Sequence, residues 1–201
     1  MAGPVELLAA LQTYLRSLDD ATVRDFLSGI DWDMPQRALA PGILSCLGHL
    51  DRIAEIAPAA ERPLARLLAR GRHALGWGQT YTAADFGQRF IDNYGWIELF
   101  GLRGHFVNDR VAAGILILGP DVVYPDHHHV AEELYVPLTG GTDWRKGEGG
   151  FTPRAAGEII HHASDVDHAM RTGSEPLLAL YLWRGGPLAQ KSTITGQAGQ
   201  L

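Results

Sequence analysis

Leu7, Leu8, Leu11, Leu15 and Leu18 recur at intervals of three and four residues, and Val23, Phe26, Leu27 and Ile30 repeat the pattern. Ile43, Leu44, Leu47, Leu50, Ile53 and Ile56 form a third set, and Leu64, Leu67 and Leu68 a fourth. With Gln12, Arg16, Arg24 and Asp51 between them, these spacings predict amphipathic helices. Pro35, Pro41, Pro58 and Pro63 divide the segment, because proline opens a helix or interrupts one. Residues 1–75 therefore read as several short helices that serve as scaffold.

From about residue 94 the pattern changes. WIELFG, GHFVND, AAGILILG, ELYVPLTG, GEIIHHAS and LLALYLWRGG are short runs of β-branched, aromatic and leucine residues broken by Gly, Pro and Asp. Many short strands at this spacing predict a mainly β sandwich or barrel rather than βαβ units. The expected division is a helical extension over 1–80 packed on a β-barrel over 81–201. No internal repeat is visible, and the polar tail QKSTITGQAGQL is expected to fray.

Composition narrows the class without naming it. The 201 residues suit one medium-sized domain, and 46% apolar with 20% charged residues argue against general disorder. A net charge of −6 disfavours nucleic acid or an anionic membrane as main partner. The single cysteine, Cys46, permits no intrachain disulfide and sits among apolar residues, where an inert buried thiol is expected. The N-terminus shows no basic start followed by a long apolar run, and no segment approaches a membrane span, so a cytoplasmic location is the default expectation.

The chemistry concentrates in YPDHHHVAEELYVPLTGGTDW, residues 124–144. On an extended chain His127 and His129 share one face while His128 takes the other, and Glu133 and Tyr135 stand in the same relation. If the two pairs lie on successive strands, all four side chains enter one cavity. Two histidines and a glutamate, with one more histidine from His161, His162 or His168, suit a borderline divalent cation such as Zn, Fe(II), Mn, Ni or Co. A surface histidine cluster and a core-packing tyrosine are the plain alternatives.

The run His127-x-His129-x3-Glu133-x6-Gly140 resembles the first motif of the cupin superfamily, with Gly119 for its preceding glycine. Gly157-Glu158 and His168 resemble the second, although Asp165-Val166-Asp167 replaces its Pro-x-Gly step. The whole of 124–144, GEIIHHASDVDHAM, the late YLWRGG and the helical N-terminal region resemble dimethylsulfoniopropionate (DMSP) lyases of the DddQ type. That resemblance implies a cupin β-barrel with an N-terminal helical extension and cleavage of DMSP to dimethyl sulfide and acrylate. It implies His127, His129, Glu133 and His168 as ligands of one divalent metal, with His161 or His162 as alternatives for the last, and Tyr135 as the base. It also implies Tyr124, Trp183 and Tyr181 as aromatic contacts for the small sulfonium carboxylate.

Arg171 and Arg184 are further candidates for a carboxylate, and His128, Glu132 and His162 read as supporting or surface residues. Two rivals share parts of the pattern. Another cupin enzyme, a dioxygenase or isomerase, has the ligands but no need of a Glu-x-Tyr base. A zinc anti-sigma protein has helices and a cupin, yet residues 1–75 supply only Cys46, His49 and His73 without a paired ligand motif.

Overall fold

The structure is a computed structural model and describes residues 3–196. The helical periodicity of the first third produces four helices: α1 (Pro4–Ser17), α2 (Ala21–Ser28), α3 (Leu50–Ile56) and α4 (Arg62–Gly71). Their ends follow from local chemistry. The Asp20 side chain caps α2 by accepting from the Thr22 and Val23 amides, and Glu6 reaches back to the Gly3 amide at the start of α1. Pro63 occupies the first turn of α4, where no amide donor is needed. A fifth helix, α5 (Ala83–Asp92), lies inside the segment assigned to the barrel and is broken at Gly87, whose φ is +79°.

Eleven strands follow among the described residues: β1 (Tyr94–Gly101), β2 (Phe106–Val107), β3 (Val111–Leu118), β4 (Val123–His128), β5 (Glu132–Pro137), β6 (Thr142–Lys146), β7 (Thr152–Arg154), β8 (Ile160–His162), β9 (His168–Thr172), β10 (Leu177–Arg184) and β11 (Thr193–Ile194). They form two sheets, β2-β1-β3-β10-β5-β8 and β11-β4-β9-β6-β7. Apart from the β1–β2 pair, the ladders are antiparallel. This is the mainly β, two-sheet architecture that the strand pattern predicted.

The period-2 alternation of the larger sheet sorts its side chains between two cores. Ile97, Leu99, Ile115, Ile117, Leu134, Val136, Leu178, Leu180 and Leu182 face outward and pack with Leu7, Leu11, Leu15, Phe26, Leu50, Ile53 and Leu68 of the helices. The alternate positions face the barrel interior, where Tyr94, Leu116, Tyr135 and Ala179 meet Tyr124, Trp144 and Met170 of the smaller sheet. Burial on both faces explains why β3 and β10 read as almost unbroken apolar runs. Each leucine buried in the outer layer is worth roughly 1.5–3 kcal/mol, so the helices brace the sheet whose opposite face carries the chemistry.

The tail departs from expectation. Thr193 and Ile194 pair with His128 and His127 on β4, so part of it is a strand, and residues 197–201 lie outside the described residues. Among the described residues no helix is long and apolar enough to cross a membrane. Cys46 is buried, and burial pushes its thiol up to about 12, as its apolar neighbours implied.

Candidate metal centre and its cavity

Strand pairing gathers the histidines. His127 on β4 is the cross-strand partner of His168 on β9, and their ring centroids are 4.1 Å apart. Glu133 on β5 stands between two partners, Trp183 on β10 and His162 on β8. His129 follows β4 and reaches back to Glu133, its Nε2 lying 2.9 Å from Oε2. His168 Nε2 lies 3.1 Å from the same oxygen without an aligned hydrogen bond. The donor atoms of His129, Glu133 and His168 all lie within 4.8 Å of one another. His127 stands beside this set rather than within it, its ring 6.5 Å from that of His129.

The histidines share a device that prepares them as ligands. Nδ1 donates to a backbone carbonyl two residues away in each case: His127 to Pro125 at 2.8 Å, His129 to Ala131 at 2.8 Å and His168 to Val166 at 2.9 Å. A carbonyl can only accept, so each Nδ1 carries the proton. That leaves the Nε2 lone pair of His127 and His168 available, while His129 Nε2 donates to the Glu133 carboxylate and would give up that proton to a metal. The Trp183 indole donates to Glu133 Oε1 at 2.6 Å, leaving Oε2 toward the histidines. The turn that brings His168 into place uses Asp165 instead of the motif's glycine. Its φ is +57°, a region aspartate tolerates, and its amide donates to the His129 carbonyl at 2.9 Å.

Electrostatics follow from burial and these neighbours. Burial alone would raise Glu133, but His129 and His168 hold its carboxyl well below the usual range. Burial disfavours a charge on His129, and the Glu133 carboxylate outweighs it and raises the imidazole. Burial and the neighbouring His168 push His127 well below the ordinary histidine value. A buried carboxylate with imidazole Nε2 atoms converging on it is a donor set suited to a divalent cation, which would displace the proton shared by His129 and Glu133.

A small cavity opens beside this cluster, lined by Glu133 and by Tyr124, Tyr135, Tyr181 and Trp183, the four aromatics singled out in the sequence. Tyr135 is buried, and desolvation with the nearby Glu133 carboxylate raises its phenol well above 10. The Tyr124 ring stacks flat on His127, with centroids 4.1 Å apart, and its hydroxyl meets that of Tyr81 at 3.0 Å. One face of Tyr124 is therefore already taken. Tyr181 extends its hydroxyl toward the Ile97 carbonyl, 3.4 Å away.

Further lining residues, among them Tyr81, Trp96, Glu98 and Arg103, were not foreseen. Tyr81 and Trp96 precede the motif region, and only the sheet order brings β1 beside the cavity. His162, read from the sequence as a supporting or surface residue and as an alternative ligand, is 1% exposed, stacks on His168 at 4.2 Å, and burial pushes it down to about 3. Its ring nitrogens have no hydrogen-bond partner among the described residues.

The remaining candidates are engaged elsewhere. Arg184 pairs with Glu132 and Asp25, Glu132 also with His161, His128 with Asp167 and Arg171 with Asp143. None of these lines the cavity. His49 bonds Asn93 at 2.9 Å, and Cys46, His49 and His73 form no ligand cluster among the described residues.

A family model of dimethylsulfoniopropionate lyase matches residues 33–179. The chain belongs to the dimethylsulfoniopropionate lyase family. Dimethylsulfoniopropionate lyase DddQ of Ruegeria pomeroyi is 36% identical over 111 residues, 54% of each chain. DddL of Cereibacter sphaeroides is 27% identical over 148 residues, 72% of this chain and 61% of that one. The matched segments thus span little more than half the length of these curated relatives. Two solved structures extend the likeness of fold to nearly the full length. A chain from the crystal structures of the DMSP lyases RdDddP and RnDddQII gives a TM-score of 0.88 at 28% identity, covering 96% of this chain and 97% of that one. DddQ of Ruegeria pomeroyi gives 0.88 at 24% identity, covering 98% of both. The lyase-family barrel therefore extends to this chain, helices included.

Proposed function

We propose that this protein is a metal-dependent carbon–sulfur lyase that cleaves DMSP to dimethyl sulfide and acrylate by β-elimination. The observation that carries the reading is Tyr135 beside Glu133, in an aromatic-lined cavity at a His/Glu cluster, within a chain of the DMSP lyase family.

His129, Glu133 and His168 would hold one divalent cation, with His127, whose ring lies 4.1 Å from that of His168, as the fourth ligand. Zn, Fe(II), Mn, Ni and Co all suit nitrogen and oxygen donors of this kind. Bound there, the cation supplies positive charge that favours the Tyr135 phenolate and offsets charge developing on the substrate carboxylate. Tyr135 takes the proton from the carbon α to that carboxylate. The C–H electron pair becomes the new C=C bond, the C–S bond breaks, and the sulfur leaves with its electrons as neutral dimethyl sulfide. The leaving group carries no negative charge, so no general acid is required of the chain.

Tyr124, Tyr181 and Trp183 would give the sulfonium aromatic surface, since such a cation offers no N–H or O–H to bond. Trp183 has a second task in orienting Glu133. The surrounding aromatic cluster of Tyr81, Phe86, Phe90, Tyr94 and Tyr124 excludes water that would compete for the base.

The test is direct. Metal-reconstituted protein is incubated with DMSP and the headspace is assayed for dimethyl sulfide, with and without chelator. Product that vanishes with chelation supports the reading, and no product with any of the five metals refutes it.

A further inference from the structure

The cavity has a second charged end that the elimination chemistry does not use. Glu98 on β1, Gly114 on β3, Tyr181 on β10 and Tyr135 on β5 lie in one cross-strand row. Three strand spacings separate Glu98 from Tyr135, about 14 Å between backbones. Gly114 has no side chain, and the Tyr181 phenol lies over the gap, where a Cβ would come within 2.5 Å of its hydroxyl. The row therefore runs from a candidate base, across an aromatic ring, to a carboxylate.

The Glu98 side chain is only 2% exposed, yet it lines the cavity. Its Oε1 accepts from the Arg103 amide and its Oε2 from Arg103 Nε at 3.1 Å. The Arg103 side chain is 42% exposed, and its guanidinium carbon lies 5.0 Å from the centre of the Trp96 ring. The chain is built around this carboxylate: the strand bulges between Glu98 and Phe100, and Gly101 has a φ of +147° where any Cβ would press on Glu98. Both residues line the cavity, the carboxylate as the buried partner and the guanidinium as the part-exposed one over Trp96. Glu133, the other carboxylate of the lining, belongs to the histidine cluster, bonded to His129 and Trp183.

We propose that Glu98, held by Arg103, is the specificity-determining residue that selects a cationic group at the end of the cavity opposite the metal cluster. The orientation rests on the DMSP reading: the carboxylate lies toward the cluster and Tyr135, and the sulfonium lies over Tyr181 toward Glu98. Aromatic faces already favour a cation over a neutral branched alkyl group of the same shape by a modest factor. A fixed carboxylate widens that discrimination by charge.

The test compares two isosteric probes by calorimetry on metal-loaded protein: 3-(trimethylammonio)propanoate and its all-carbon counterpart, 4,4-dimethylpentanoate. The wild type should prefer the cationic probe by about tenfold. Glu98→Gln should cut that preference severalfold, leaving the part that the aromatic faces supply, with affinity for the neutral probe little changed. Arg103→Lys should preserve the preference, because it keeps a cation beside the buried carboxylate and so keeps it ionised. A wild type without preference, an unchanged preference or an equal loss of both probes in Glu98→Gln, or loss of preference in Arg103→Lys would each overturn the inference. If Glu98→Gln does not fold, Arg103→Lys and the wild type decide. Cleavage of DMSP without cation preference would leave the lyase reading standing and remove this one. Preference without cleavage would do the reverse.

Discussion

The Trp183 indole N–H donates to Glu133 Oε1 at 2.6 Å across the β10–β5 ladder. The bond holds one carboxylate oxygen so that the other faces His129 and His168. Trp183→Phe keeps the aromatic wall but removes the donor, so a defect in metal binding separates this task from substrate contact. Loss of such a supporting bond should weaken divalent-metal affinity by about tenfold to a hundredfold. Competition with a chromogenic chelator measures it, and unchanged affinity would assign Trp183 to the cavity wall alone.

Tyr135→Phe isolates the proton transfer. Tyr135 is buried against Trp144, with ring centroids 5.0 Å apart, and phenylalanine fills the same space, so fold and metal content should be retained. DMSP cleavage by the metal-loaded variant should fall by at least about a hundredfold, the scale of a lost general base. Full activity with full metal occupancy would leave the fold and family intact and return the choice to another cupin chemistry. Chelation of the wild type should give a comparable loss, reversed by adding back the native metal.

Period-2 spacing along two successive strands, β4 and β5, is what predicts that His127, His129, Glu133 and Tyr135 face one interior. These residues are near neighbours in sequence, and alternation alone decides which share a face. Trp183 and Tyr181 were legible for the same reason. The buried position of His162 and the approach of Glu98 were not, because each depends on which distant strand pairs with which: Glu133 with His162, and Glu98 with Gly114. The absent Pro-x-Gly step obscured the register near His168, since Asp165 makes the turn with a left-handed backbone usually read from glycine. Helix α5 was hidden by Gly87, which breaks its periodicity.

Gly114→Ala tests the cross-strand row itself. An added Cβ there would collide with the Ile97 carbonyl and lie within 2.5 Å of the Tyr181 hydroxyl. Backbone cannot yield cheaply, so overpacking should cost about 1–3 kcal/mol of stability. Displacement of Tyr181 should also raise the KM for DMSP more than it lowers kcat. Denaturant unfolding and steady-state kinetics check the two effects, and a variant with wild-type stability would show that β1 and β3 do not meet as described.

His105 provides a pH dependence away from the metal cluster. It is buried and its Nε2 accepts the Gly76 amide at 3.0 Å, a role open only to the neutral ring. Its backbone carbonyl also accepts from Arg37, tying the segment between α2 and α3 to the β1–β3 region. Burial lowers its pKa below the ordinary 6.5. As pH falls below 6.5 the unfolded chain takes up this proton before the folded one does. The unfolded state then binds more protons, so stability declines with falling pH until the folded ring also titrates. Above 6.5 the group contributes no slope. Denaturant unfolding of metal-free protein across this range should show the decline, and His105→Gln, which cannot titrate, should flatten part of it. An equal slope in both proteins would place the acid sensitivity in other groups.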